Sequence, residues 1–239
     1  MYYTHSACKT QGEEGGAEEL SFDISVNFAI IIKYALQTLI RRLGRMIFAP
    51  MMERGNTLMN YAEIKNCDVA NGPGVRISLF VSGCTHGCKG CFNQEAWDFN
   101  YGKPFNQEVI DHILELMAPR YITGLTLLGG EPFDPRNQAS VVKLLRQVRE
   151  VYPEKSVWAF TGYLLDRDLL SGQVGEPEVV REYLGYLDVL VDGPFVESLK
   201  DLNLRFCGSS NQRLIDVPKS LSSGKIVLWE DWQKKGEGM

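Results

Sequence analysis

Hydrophobic and polar positions follow two rhythms along most of this chain. Short runs rich in β-branched and leucine residues predict strands at Arg76–Val81, Leu125–Leu128, Val157–Thr161, Leu187–Val191 and Lys225–Trp229, with a weaker candidate at Arg213–Val217. Between them lie helical patterns at Asn106–Ala118, Gln138–Tyr152 and Pro177–Tyr186. In the first, Val109, Ile110, Ile113, Leu114 and Met117 recur at helical spacing and make one apolar stripe. Val141, Val142, Leu144, Leu145 and Val148 do the same in the second, and the third opens on a proline at its first turn. Strands alternating with helices predict an α/β fold, a mostly parallel sheet joined by helical crossovers. In such folds the functional loops gather at the carboxyl ends of the strands.

Residues 1–58 break this rhythm. They carry six basic and six acidic residues and begin with a Gly/Glu-rich stretch. An apolar run from Phe28 to Phe48 follows, interrupted by Lys33, Arg41, Arg42 and Arg45. Acidic residues come first and no small-residue cleavage pattern follows, which argues against a signal peptide. Four cations inside the roughly 20 residues a bilayer span needs argue against a membrane helix. An amphipathic helix fits, as does a natural start at Met59, where the self-sufficient α/β pattern begins. We therefore divide the chain into an N-terminal extension, 1–58, and a functional domain, 59–239.

Composition narrows the function. Lys and Arg number 25 against 30 Asp and Glu, a net charge of −5, so binding to nucleic acid by phosphate neutralisation is disfavoured. Six cysteines are too few for a disulfide-stapled secreted domain of this length. Three of them crowd into Cys84-Thr-His-Gly-Cys88-Lys-Gly-Cys91, directly after the first predicted strand, which points to a metal or redox site in a reducing cytoplasm. Gly83, Gly87 and Gly90 mark this stretch as a tight loop rather than a core strand. Three thiolates on one compact loop can hold three corners of an iron–sulfur cubane. A structural zinc site wants four ligands, commonly as paired Cys-x-x-Cys knuckles; there is no second knuckle, and His86 sits awkwardly between two of the cysteines. A cluster with three protein ligands leaves one iron open for a ligand.

A second motif, Leu128-Gly129-Gly130-Glu131-Pro132, closes the second predicted strand about 40 residues later. Its glycines allow a ligand close to the backbone, and its carboxylate suits an ammonium group. Further turn-like motifs follow in order. Asn71-Gly72-Pro73-Gly74 precedes the first strand, and Cys91-Phe92-Asn93 and Gly102-Lys103-Pro104-Phe105 follow the cysteines. Thr161-Gly162-Tyr163, Val191-Asp192-Gly193-Pro194-Phe195 and Gly208-Ser209-Ser210-Asn211-Gln212-Arg213 complete the series.

The Cys-x3-Cys-x2-Cys spacing with Gly-Gly-Glu-Pro resembles the radical S-adenosylmethionine superfamily. The full series, from about Met59 to Trp229, resembles the activating proteins of anaerobic (class III) ribonucleoside-triphosphate reductases. That resemblance implies an open, partial (β/α) barrel of TIM type, the radical S-adenosylmethionine core. It implies an oxidoreductase with a 4Fe-4S cluster on Cys84, Cys88 and Cys91 and S-adenosyl-L-methionine chelated to the open iron. Reductive cleavage of the sulfonium would give an adenosyl radical that abstracts hydrogen from a glycine of the partner reductase. By the same resemblance Gly129, Gly130 and Glu131 contact the methionyl group, while Gly90 and Phe92, flanking Cys91, contact the adenosyl part. No further catalytic side chain is implied beyond the cluster and cofactor. A reduced flavodoxin or ferredoxin would supply the electron, in the cytoplasm, with neither nucleic acid nor membrane as partner. The chain departs from the family at Cys207, where arginine is usual. Two alternatives are an activase for another glycyl-radical enzyme, such as pyruvate formate-lyase, and a non-catalytic iron–sulfur or zinc module. Trp97 and Trp158 are read as packing residues, His112 as a surface residue and Lys234-Lys235 as a solvated tail. His86 is read as tuning the cluster or packing the loop, and Asp192 and Asn211 as cavity-lining or turn-capping residues.

Overall fold

The computed structural model describes residues 59–229. The expected amphipathic helix, the N-terminal extension 1–58 and the Lys234-Lys235 tail lie outside the described residues. Seven strands are found among those described: β1 (Asn60–Asp68), β2 (Val75–Val81), β3 (Lys103–Pro104), β4 (Ile122–Gly129), β5 (Ser156–Phe160), β6 (Val189–Asp192) and β7 (Arg213–Asp216). The helices are α1 (Gln107–Met117), α2 (Pro135–Val151), α3 (Pro177–Gly185) and α4 (Val217–Ser223). Asn106, Asp134 and Asp216 cap α1, α2 and α4, each accepting a backbone N–H of the first turn.

The strands form one open sheet in the order β3-β1-β2-β4-β5-β6-β7. Its centre, β2-β4-β5-β6, is parallel, whereas β1 and β3 on one side and β7 on the other run antiparallel to their neighbours. Within the parallel centre β2, β4, β5 and β6 follow one another in a single direction, after a detour through β3, which pairs with β1 at the far edge. Crossovers of one hand then place α1, α2 and α3 on the same face. The core reflects this. Ile77, Leu79 and Val81 of β2, Leu125 and Leu127 of β4 and Val157 and Ala159 of β5 share one apolar cluster with Ile113, Val141, Leu145 and Leu184 from α1, α2 and α3.

The opposite face carries the alternate residues. Trp158 packs there with Val189, Val191 and Leu214, edge-on to Phe206 and Trp229. Arg76 is fully buried on this face. It donates to Thr126 Oγ1, Ser156 Oγ and the carbonyls of Leu125 and Ser156, and its guanidinium lies over the Trp158 ring. Burial pulls its pKa down to about 10.

Two expectations are corrected. The strand predicted at Lys225–Trp229 reduces to a single bridge between Leu228 and Ile215, because Gly224 ends α4 in a left-handed turn just before it and leaves little extended chain. β1 escaped the periodicity analysis. Register shifts between Tyr61 and Glu63 and between Lys65 and Asp68, with Cys67 at φ 58°, break the two-residue alternation of its polar sequence. Among the described residues no helix is long and apolar enough to cross a membrane.

Candidate metal and cofactor site

All four parallel strands end at the same edge of the sheet, and the loops leaving them carry the cysteines, the Gly-Gly-Glu-Pro turn, Thr161-Gly162-Tyr163 and Gly193-Pro194-Phe195. The loop after β2 holds the three cysteines. It closes on itself through Gly83 N–H to Ala96 O and Cys84 N–H to Trp97 O, at 2.8 and 3.1 Å. Gly87 and Gly90 take φ of 60° and 74°, left-handed turns that let the chain double back between successive cysteines.

The Gly-Gly-Glu-Pro turn is sewn to the start of this loop. Gly130 N–H donates to Val81 O at 2.7 Å and Glu131 N–H to Gly83 O at 2.8 Å. Asn137, buried in the first turn of α2, donates through Nδ2 to both Ser82 O and Glu131 O. A β-carbon on Gly130 would stand 2.5 Å from Gly83 O and 2.9 Å from Ala96 O, so the two loops touch backbone to backbone. Asn137 was not singled out by the sequence analysis; its only signal was an asparagine three residues into a helix that Asp134 already caps.

Backbone N–H groups face the cysteine sulfurs. Asn93 N–H donates to Cys91 Sγ at 3.4 Å, and the backbone N–H groups of His86 and Phe195 lower the pKa of Cys84 and Cys88 against the effect of burial. Phe195 belongs to the loop after β6, which the Gly208–Arg213 motif holds in place. Arg213 grips Asp192 with both Nε and Nη2, Gln212 Nε2 donates to Gly193 O, and Asn211 Nδ2 donates to Pro194 O. The sequence leaves Asp192 and Asn211 open as cavity-lining or turn-capping residues. Asp192 is fully buried and takes the ion pair with Arg213 together with the Leu165 N–H, so it fastens β6 to β7.

The sulfurs are half-buried and repel one another electrostatically once charged. Burial pushes the Cys84 thiol up to about 11, with the charges of Glu131 and the other two cysteines adding to it. Burial also raises Cys88, against the lowering effect of the Phe195 N–H. Bound iron requires thiolates and supplies the positive charge that offsets these penalties. Backbone N–H groups at each sulfur stabilise the same thiolate form. The donor set therefore fits an iron–sulfur cluster held from one loop. Among the described residues no group of three or more His, Cys, Asp or Glu side chains is gathered as for a single metal ion.

The remaining expected residues fall around this loop. Phe92 is 71% exposed at its outer edge, with its ring 5.9 Å from that of Phe195 and Lys200 Nζ 4.8 Å above it. Gly90 lies beside Glu197, whose carboxylate a β-carbon there would meet at 2.9 Å. His86 Nε2 donates to Glu131 Oε2, 2.8 Å away. Burial alone would lower the His86 pKa, but Glu131 more than offsets this and raises it. Trp158 is buried and His112 exposed, as expected, while Trp97 is half-buried.

Comparison with known proteins agrees with this geometry. Residues 70–215 match the family model of the 4Fe-4S single cluster domain. The anaerobic ribonucleoside-triphosphate reductase-activating proteins of Escherichia coli strain K12 and Vibrio cholerae serotype O1 are 41% and 42% identical over 156 residues. Each alignment covers 64% of this chain and 96% of the relative. The Enterobacteria phage T4 protein of the same name is 38% identical, over 65% of this chain and 93% of its own. The chain belongs to the family of anaerobic ribonucleoside-triphosphate reductase-activating proteins. In this member the family's 4Fe-4S domain spans β2 to β7 and includes the cysteine loop, the Gly-Gly-Glu-Pro turn and the loop after β6.

Proposed function

We propose that this chain activates an anaerobic ribonucleoside-triphosphate reductase by radical S-adenosylmethionine chemistry. The observation that carries the reading is the lacing of the cysteine loop to the Gly-Gly-Glu-Pro turn at one end of a parallel sheet, in a chain whose relatives bear that name. Cys84, Cys88 and Cys91 hold a 4Fe-4S cluster, and the backbone of Gly129 and Gly130 receives the methionyl end of S-adenosyl-L-methionine. Gly90 and Phe92 contact its adenosyl end. When bound, the cluster and cofactor supply one-electron cleavage of the sulfonium and the radical that is passed to a glycine of the reductase.

The chain's own residues do the holding. The N–H groups of His86, Asn93 and Phe195 stabilise the sulfurs as thiolates, and Gly83, Gly130 and Asn137 fix the cluster loop against the cofactor turn. The loop after β6 walls one side and leaves Phe92 exposed, which suits a protein substrate that must reach the site. The domain of residues 59–239 performs this work in the cytoplasm, with a reduced flavodoxin or ferredoxin as electron donor.

The direct test is anaerobic reconstitution with iron and sulfide. A brown protein with about four irons per chain, cleaving S-adenosyl-L-methionine on reduction, is the expected result. A colourless protein that binds zinc and no iron would refute it.

A further inference from the structure

Glu131 has no acceptor site left for a ligand. Its carboxylate is 1% exposed. Oε1 accepts the Phe133 N–H and the Thr161 hydroxyl, and Oε2 accepts the Gly162 N–H and lies against His86 Nε2, all at 2.8 Å. An ionised carboxylate offers about four lone-pair sites, and here four donors of the chain itself fill them. A methionyl ammonium would have to displace one of them. The resemblance-based role of Glu131, reaching for that ammonium, therefore competes with a network already complete.

The fourth donor is the informative one. Phe133, Thr161 and Gly162 stand on the ends of β4 and β5, but His86 stands in the middle of the cysteine loop, between Cys84 and Cys88. Its ring also meets Tyr163 edge-on, with centroids 4.5 Å apart. It presses so closely on Gly162 that a β-carbon there would lie 2.6 Å from it. Thr85, the preceding residue, lies beside the Tyr163 hydroxyl. The segment joining the first two cysteines is thus gripped from the strand ends rather than from within its own loop.

We propose that His86 is a positioning residue, and that Glu131 serves this chain by locking His86 to the ends of β4 and β5, so fixing the separation and direction of Cys84 and Cys88. The inference rests on those cysteines being the cluster ligands. Its physical content is a buried, charge-assisted hydrogen bond across 45 residues of sequence, supported by the Tyr163 ring and the close approach of Gly162 to the imidazole. A histidine with no such task would be free to face solvent from this loop.

The test uses the full chain in five forms: wild type, His86→Leu, His86→Gln, Glu131→Gln and the double variant His86→Leu/Glu131→Gln. Hydrogen–deuterium exchange of the segment 84–91, measured without iron, reads the grip itself. Losing a hydrogen bond to a charged group should speed exchange there by about tenfold or more in His86→Leu and Glu131→Gln. His86→Gln, which keeps an N–H for Glu131, should stay within about twofold of wild type, and the double variant should be no faster than either single. After reconstitution, iron loss to a chelator should rank the variants in the same order. The electron paramagnetic resonance line shape of the reduced cluster, recorded before any S-adenosyl-L-methionine is added, should shift in His86→Leu and Glu131→Gln.

Wild-type exchange in His86→Leu would overturn the proposal. So would a Glu131→Gln chain whose loop and cofactor-free spectrum are unchanged while only its cofactor affinity falls, since that would restore the ammonium role. The exchange measurement needs no cluster. A wild-type chain that bound no iron would refute the functional reading while leaving the grip to be judged on exchange alone.

Discussion

At the scale of single residues, the site is a set of sulfurs whose charged form the loop must make acceptable. Burial raises Cys84 and Cys88, and the backbone N–H groups of His86 and Phe195 work against that rise. Removing one sulfur leaves a cubane two protein anchors. Cys88→Ala should therefore lower bound iron from about four per chain to below about one, measured by iron and sulfide analysis after anaerobic desalting. Cys67→Ser, in β1 and away from the loop, should keep the wild-type content. The Cys207 thiol is pushed up to about 12 by burial beside Trp158 and Phe206. It belongs to the packing of the sheet's second face, and Cys207→Ala should leave cluster content unchanged as well.

At the scale of elements, the strand ends are held at fixed distances by close backbone approach. Gly130→Ala would drive a methyl group against Gly83 O and Ala96 O, neither of which is a flexible side chain. The variant should fold, because β4 and α2 keep their cores, but should lose most of its iron on desalting; full iron retention would show that the two loops tolerate separation. Arg76 is the counterpart at the other end of the strands. Arg76→Ala would strand Thr126, Ser156 and two carbonyls without their donor and open a void beneath Trp158. A loss of about 3–5 kcal/mol is expected, read from the midpoint of urea unfolding.

These elements also show what the sequence could and could not reveal. The parallel centre and its helices were legible, since buried parallel strands read as continuous apolar runs and the helices as clean stripes. Strand β1 was not, because its register shifts break the alternation that identifies a strand. The cysteine loop and the Gly-Gly-Glu-Pro turn were legible as spacing. Their mutual hydrogen bonds were not, because partners 45 to 55 residues apart, such as His86 with Glu131 and Ser82 with Asn137, leave no periodic trace. The same applies to Phe195, which acts through its N–H and so could carry almost any side chain.

At the scale of the whole molecule, the described residues contain the seven-stranded sheet and all the motifs singled out in the sequence. A chain beginning at Met59 should accordingly bind the cluster and activate the reductase as the full chain does, with equal melting temperature. Precipitation, or cluster binding without activation, would make residues 1–58 a working part of the protein. The central claim is that this chain makes a radical on another protein. It is tested most directly by mixing the reconstituted chain with an anaerobic ribonucleoside-triphosphate reductase, S-adenosyl-L-methionine and a reductant, and recording the electron paramagnetic resonance spectrum of the reductase. The account predicts a glycyl radical signal that requires the cofactor and vanishes with Cys88→Ala. A cluster-loaded wild-type chain that yields no signal, or a Cys88→Ala chain that yields the full one, would contradict it.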